Sequence, residues 1–181
     1  MRQRYLLQSI KLRIKEFNEI DSTNDYLKRN YLKEVSFTIV KANFQTKGKG
    51  QFDRKWESKI GENLTFSLLL KKVTLDKMEK IKNWITRSLL ETIKQFDIIA
   101  RFKEPNDIYV ENKKLCGILI ETLVEKNAFT YMIIGIGLNI NQVDFIETKA
   151  TSFRLLTNLQ YQINSIFKKI IKELITQYDI V

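Results

Sequence analysis

The stretch 129–140, Phe-Thr-Tyr-Met-Ile-Ile-Gly-Ile-Gly-Leu-Asn-Ile, constrains this chain more than any other. It is rich in β-branched and aromatic residues, which favour a pleated, buried backbone over a helix. It is far too short to cross a bilayer as a helix, as is every other apolar run in the sequence. Two glycines, Gly135 and Gly137, interrupt it. A glycine inside a strand marks a bulge, or a place where another group comes close to the backbone. The whole sequence has only six glycines and one proline. The other glycines are Gly48, Gly50, Gly61 and Gly117, and the proline is Pro105. With so few, their positions are informative.

Further extended segments are expected at 15–21, 36–43, 63–71, 107–110 and 115–123, with a hairpin-like Glu111-Asn112-Lys113 between the last two. A helix to about Tyr31 can start at Ser22 or Thr23, whose hydroxyl accepts an orphan backbone N–H. Apolar residues at 78, 81, 85, 89 and 93 have helical spacing, so 75–96 should lie on a sheet by one stripe. A last helix, about 165–178, is expected with Asn164 as its cap. Strand runs with a few inserted helices, and no regular βαβ alternation, give a single α+β domain. Its sheet should be mixed, largely antiparallel and covered by helices.

Composition removes several chemistries. Histidine is absent, which excludes a Ser-His-Asp or Cys-His hydrolase and a His-ligated zinc. Cys116 is the only cysteine, so there is no internal disulfide and no cysteine cluster. It reads as a small buried residue. The apolar Tyr5-Leu6-Leu7 is too short for a signal-peptide core, so a cytoplasmic location and no membrane association are expected. The net charge is +10. It suits nucleic acid or ligands carrying phosphate or carboxylate. The excess of Lys, Ile, Asn and Phe over Pro, Gly and Ala also matches the drift of an AT-rich genome.

Four stretches can carry chemistry. In 45–56, two glycines free the backbone to wrap an anion, Lys47, Lys49, Arg54 and Lys55 add charge, and Trp56 offers a flat face. It is not a P-loop, because Gly50 is followed by Gln51; by composition it is equally a solvated basic loop. In Lys103-Glu-Pro-Asn-Asp107, Asn106 and Asp107 can orient a ligand, or simply begin a turn. Lys113-Lys-Leu-Cys-Gly117 puts a lysine at the mouth of a strand beside a small pair. Gly135-Ile-Gly-Leu-Asn139 lacks the third glycine and the following helix of a dinucleotide fingerprint. It fits a strand that passes close to a ligand, or a bulged core strand.

In order, these motifs resemble the catalytic domain of the biotin protein ligases. The family pattern runs Asp-Ser-Thr-Asn, then Gln before Gly-Arg-Gly-Arg-x-Gly-Arg-x-Trp, then Gly-x-Asn-Leu with a serine close behind. Lys-Trp-Pro-Asn-Asp, Lys-x-x-Gly-Ile-Leu-x-Glu and Gly-x-Gly-x-Asn follow. This chain has Asp21-Ser-Thr-Asn24, Gln45 with Gly48-Lys-Gly-Gln-Phe-Asp-Arg-Lys-Trp56, and Gly61-Glu-Asn-Leu64 with Ser67. It then has Lys103-Glu-Pro-Asn-Asp107, Lys114-Leu-Cys-Gly-Ile-Leu-Ile-Glu121 and Gly135-Ile-Gly-Leu-Asn139. The resemblance implies a class II aminoacyl-tRNA-synthetase-like fold. It also implies ATP-dependent biotinylation of one lysine of a biotin carboxyl carrier protein, through biotinyl-5′-AMP. Biotin and ATP are then substrates, with Mg²⁺ held mainly through the phosphates.

By the same resemblance Ser22, Thr23, Asn24, Gln45, Lys49, Gly50, Gln51, Lys114 and Gly117 line the biotin site. Gly48, Lys49, Arg54, Trp56, Asn106 and Asn139 serve ATP and the adenylate, with Trp56 packing against the adenine. The catalytic candidates are Lys114, Asp107 and Lys103. The loop from Gly48 to Arg54 would close over biotin and the adenylate. Lys49 and Gln51 replace arginines of the pattern, and neither reproduces a bidentate fork. Asp53 replaces a glycine and Glu104 an aromatic. A weaker hold on the adenylate is therefore expected. About 16 residues before the first matching strand are too few for a winged helix. About 40 after Asn141 are too few for an added β-barrel. A catalytic domain alone is thus expected, without DNA operator binding, as a monomer or a homodimer. The alternatives are a lipoate or octanoyl ligase or transferase, and a non-catalytic basic module that binds nucleic acid.

Overall fold

The computed structural model describes residues 12–52, 54–146 and 149–178. The expectations about the first eleven residues and about Asp53 lie outside the described residues. The chain runs β1 (Arg13–Ile20), α1 (Thr23–Asn30), β2 (Thr38–Gln45) and β3 (Asn63–Thr74). A short 3₁₀ turn (Leu75–Lys77) leads into α2 (Met78–Lys94). Then come β4 (Arg101–Lys103), β5 (Asp107–Val110), β6 (Lys113–Glu125), β7 (Ala128–Asn139), α3 (Phe153–Thr157) and α4 (Ile163–Thr176). All seven strands form one sheet in the order β1-β2-β3-β7-β6-β5-β4. Only β1 and β2 are parallel, because α1 crosses between them; the other neighbours are antiparallel. The expected α+β class, with a mixed and largely antiparallel sheet, is found.

Alternation along the strands divides the sheet into two unlike faces. Leu64, Phe66, Leu68 and Leu70 of β3 join Met132, Ile134, Ile136 and Leu138 of β7 and Cys116 and Ile118 of β6 on one face. They meet Trp84, Ile85, Leu89 and Ile93 of α2 and Ile166, Phe167, Ile170 and Leu174 of α4 in one core. Each such side chain contributes roughly 1.5–3 kcal/mol on burial. The opposite face carries a small cluster, Leu27, Val40, Leu69 and Ile133, which seats α1. Beside it the register aligns small residues across five strands. Ala42 lies opposite Thr65, Thr65 opposite Gly137, Gly137 opposite Gly117, and Gly117 opposite Asp107. The next row is Val40, Ser67, Gly135 and Leu119. These rows leave a trough.

Three local expectations change. Asn164 does not cap α4: the N-cap is Gln162, with no side-chain cap bond. Asn164 lies within the first turn and accepts a 2.7 Å hydrogen bond from the buried Lys41 Nζ. Lys41 also reaches Glu16 at 3.1 Å and faces the Phe167 ring, so this one lysine ties α4 to the sheet. The edge strand β4 and the short α3 are additional to the elements expected. Both have local causes. β4 pairs with β5 across the Pro105 turn. α3 begins at Ser152, whose hydroxyl accepts from Leu155 N. The long apolar strand is not bulged at its glycines: Gly135 and Gly137 keep regular pairing on both sides.

Candidate active site

The trough is closed into a narrow cavity with about 50 Å³ of free volume. Its floor is Thr65, Gly117, Leu119, Gly135 and Gly137. Ser22, Thr23 and Asn24 wall it from the start of α1, Gln45 from the end of β2, and Asn106 and Lys114 from the β5–β6 side. Lys49, Gly50, Gln51 and Trp56 cover it.

The glycines are explained by what presses on them. A Cβ at Gly137 would overlap the Trp56 indole, and one at Gly117 would stand 3.1 Å from it. The ring therefore lies flat on backbone where two strands pair. A Cβ at Gly135 would overlap the amide oxygen of Asn24. In the covering loop, Gly50 N donates to Arg54 O at 2.7 Å and Trp56 N to Gly48 O at 3.1 Å. A Cβ at Gly48 would come 2.6 Å from the Trp56 carbonyl, so this small hairpin needs its glycine.

The start of α1 is tied down from several sides. Asp21 accepts two bonds from Arg29, at 2.7 and 2.9 Å, and that guanidinium holds its carboxyl below the ordinary range. Lys49 Nζ donates to Asp25 at 2.8 Å, which raises the lysine's pKa and anchors the covering loop to α1. Inside, Gln45 Oε1 accepts from Thr23 N at 2.7 Å. Thr23 Oγ1 lies 2.6 Å from Ser67 Oγ, and Ser67 donates to Asn24 Oδ1 at 2.5 Å. Asn24 Nδ2 donates to Glu121 at 2.7 Å, and Lys28 donates to the other carboxylate oxygen at 2.5 Å.

On the opposite wall, Lys114 Nζ lies 2.7 Å from Asp107 Oδ1. The approach lacks hydrogen-bond direction, so the attraction is chiefly coulombic. The same ammonium lies 5.7 Å from the Trp56 ring centre. Lys114 is held by its backbone: its N–H donates to Lys149 O at 2.7 Å, and its carbonyl accepts from Thr151 N at 2.9 Å. Asn106 Nδ2 donates to Ile118 O at 3.0 Å, and Ile118 N to Asn106 O at 2.8 Å, which pins the turn after Pro105. Glu104, where an aromatic was in question, points outward and pairs with Lys82 at 2.7 Å. Cys116 is fully buried on the other face, where desolvation pushes its thiol up to about 12.

Most of the residues expected from the sequence meet in this cavity. Ser22, Thr23, Asn24, Gln45, Lys49, Gly50, Gln51, Trp56, Asn106, Lys114 and Gly117 all line it. Asp107 adjoins it through Lys114. Gly48 and Arg54 line a separate groove on the outer side of the loop. Lys103 stands in the same sheet row as Asp107, but its ammonium lies over the Tyr109 ring, 4.4 Å from the centre. Asn139 is buried away from the cavity, and its Nδ2 donates to Thr151 O at 3.0 Å. Its link to the site is therefore indirect, through the segment that holds the Lys114 backbone. Thr65, Leu119, Gly135 and Gly137 are further lining residues, and the buried Ser67 and the partly exposed Glu121 complete the hydrogen-bonded network. Strand parity carries that signal: 65 and 67 alternate with the apolar 64, 66 and 68.

Comparison with known proteins agrees with this arrangement. The ligase/repressor BirA of Bacillus subtilis is 36% identical over 107 residues, covering 58% of this chain and 33% of that protein. BirA of Escherichia coli is 32% identical over 127 residues, covering 66% and 38%. The chain thus spans little more than a third of the length of these relatives. The Aquifex aeolicus biotin protein ligase, solved with biotin and ATP, superposes with a TM-score of 0.76 at 29% identity, covering 91% of this chain and 69% of that one. Residues 16–139, from within β1 to the end of β7 and including every wall of the cavity, match the biotin/lipoate A/B protein ligase family, and the chain belongs to it.

Proposed function

We propose that this chain joins biotin to ATP and passes the biotinyl group to one lysine of a biotin carboxyl carrier protein. The observation that carries the reading is the cavity itself. A polar wall from α1 and Gln45 faces a cationic wall at Lys114, across a floor that two glycines and a flat indole keep level. The solved relative that superposes over nine-tenths of this chain holds biotin and ATP.

The chemistry needs positioning and charge neutralisation more than a covalent intermediate. The biotin carboxylate attacks the α-phosphorus of ATP and pyrophosphate leaves. Lys114 meets the negative charge that gathers there. In the second step an ε-amine attacks the acyl carbon of biotinyl-AMP, and AMP leaves. The amine must shed a proton, and Asp107, beside Lys114, is the acceptor. The loop carrying Lys49, Gly50 and Gln51 covers the adenylate and keeps water from a hydrolysable anhydride. Asn106 shapes the turn that carries Asp107. Trp56 offers the adenine an aromatic face.

Magnesium is expected to be held mainly through the phosphates of the nucleotide. Among the described residues no three carboxylate, cysteine or histidine side chains converge, and Asp107 is already matched by Lys114. The ion enters with the nucleotide, and none of the steps above depends on a protein ligand to it. No helix among the described residues is long and apolar enough to cross a membrane.

The test is ATP–pyrophosphate exchange with magnesium, biotin and lipoate in parallel. Exchange that requires biotin and is abolished by Lys114→Ala is the expected result. Exchange that requires lipoate instead overturns the biotin reading.

A further inference from the structure

The cavity leaves one direction for a macromolecular substrate. The start of α1 and Gln45 close one side, the loop carrying Lys49, Gly50, Gln51 and Trp56 lies above, and the sheet lies below. The remaining wall is Asn106 and Lys114, with Asp107, the acceptor of the amine's proton, beside it. A carrier lysine therefore arrives over this wall. Bordering it is the segment 149–151, bridged to Lys114 by Lys114 N to Lys149 O at 2.7 Å and Thr151 N to Lys114 O at 2.9 Å. That segment leads directly into α3.

Helix α3 has two unlike sides. Phe153 is fully buried against the Phe96 and Tyr161 rings. Leu155, Leu156 and, just past the left-handed Asn158, Leu159 are 45%, 37% and 59% exposed. The longer α2 turns charged residues to water instead, among them Lys80, Arg87, Glu91 and Lys94. Exposed leucines scattered singly need no explanation, but three grouped on one short stretch mark a contact surface. Exposed cations adjoin them along the chain: Arg154 on α3 itself, Lys149 in the bridging segment, and Lys113 next to Lys114. An apolar centre with a charged rim is the anatomy of a protein–protein interface.

We infer that Leu155, Leu156 and Leu159 are the docking surface for the carrier protein, whose matching face is apolar with an acidic rim. This rests on the carrier reading above and names where that partner sits. The rim cations favour an acidic partner over a second copy of this chain, whose own net charge is +10. An interface of ordinary size covers about 800 Å² per partner, a disc roughly 30 Å across. A domain centred on α3 then also covers the edge of the cavity at Lys114 and holds its lysine there. Biotin and ATP, inside the cavity, never meet these leucines, so the surface serves the transfer step alone.

The experiment compares the wild-type chain with Leu155→Asp/Leu156→Asp and, separately, with Leu159→Glu. Three reactions are followed: biotin-dependent pyrophosphate exchange, transfer of the biotinyl group to an apo biotin carboxyl carrier domain, and its transfer to hydroxylamine. Hydroxylamine is a small nucleophile that needs no docking. Thermal unfolding shows whether each variant is folded, and Leu159→Glu keeps the test intact if the double variant is not. Exchange and transfer to hydroxylamine should stay within about 2-fold of wild type. For the carrier, kcat/KM should fall at least about 10-fold, chiefly through KM. Added salt should slow wild-type transfer to the carrier and leave transfer to hydroxylamine unchanged. Unchanged carrier transfer in a folded variant overturns the inference. So does an equal loss with carrier and hydroxylamine, which would mean a damaged cavity. A wild-type dimer that the variants dissociate, with carrier transfer intact, would give the surface to a second copy and overturn it too. A wild type without biotin-dependent exchange would instead remove the functional reading beneath it.

Discussion

A methyl group at position 137 would have to share space with the Trp56 indole, which rests on the bare backbone there. Gly137→Ala should therefore push the indole off the floor. The strain should cost about 1–3 kcal/mol, or several degrees in Tm, and abolish pyrophosphate exchange. Thermal unfolding and the exchange assay read the two effects separately. Gln51 faces the same cavity with no charge. Gln51→Arg should lengthen the lifetime of bound biotinyl-AMP, measured by trapping the adenylate and following its release. Equal lifetimes would sink the idea of a weakened hold. Cys116 makes the opposite kind of prediction. Its thiol is raised to about 12 by burial, so at pH 8 it is almost wholly protonated. The native protein should resist iodoacetamide at that pH and react only when unfolded. The glycines were legible as anomalies in the sequence. What presses on each was not, because Trp56 and Gly137 meet only through the pairing of distant strands.

Helix α1 is short and could not persist alone. It is held by Ser22 at its N-cap, by Leu27 in the small second cluster, and by ion pairs reaching the loop and β6. The sequence announced its start, because Ser-Thr-Asn is local capping chemistry. It could not announce that Asn24 and Lys28 converge on Glu121, nearly a hundred positions away. The Asp21–Arg29 pair bridges the helix's entry to its last turn. Arg29 depresses the Asp21 carboxyl below its ordinary 3.8, so the pair's stabilisation is present above that pH. It is lost as pH falls through the depressed value. Both groups are partly exposed, and the contribution should be below about 1 kcal/mol. Asp21→Asn should thus lower Tm slightly at pH 7, and the gap from wild type should close in strong acid. Asp25→Asn should free Lys49 and with it the covering loop. Faster proteolysis between Gly48 and Arg54, with little change in Tm, is the expected reading.

At the scale of the whole molecule, one sheet keeps its two tasks on opposite faces. Even positions of β3 and β7 pack against α2 and α4, while the odd ones meet α1 and the cavity. The strand order was not legible, since periodicity tells strand from helix but does not say which strands pair. β4 and α3 escaped for a related reason: they are too short for a period and owe their form to neighbours. Asn164 misled because a good capping residue was recruited instead by the buried Lys41. The separation of faces carries a final prediction. Phe66 is fully buried on the helix face against Phe167, whereas Lys114 is half-exposed at the rim of the cavity. Phe66→Ala should cost roughly 3–5 kcal/mol and lower Tm by about 10 °C, leaving exchange activity in whatever protein stays folded. Lys114→Ala should abolish exchange while moving Tm by no more than about 3 °C, since it removes only a partly solvated ion pair. Calorimetric unfolding beside the exchange assay would show the two effects apart. If Lys114→Ala destabilised the fold as much as Phe66→Ala, the cavity face would be part of the structural core, and the division of labour across the sheet would not hold.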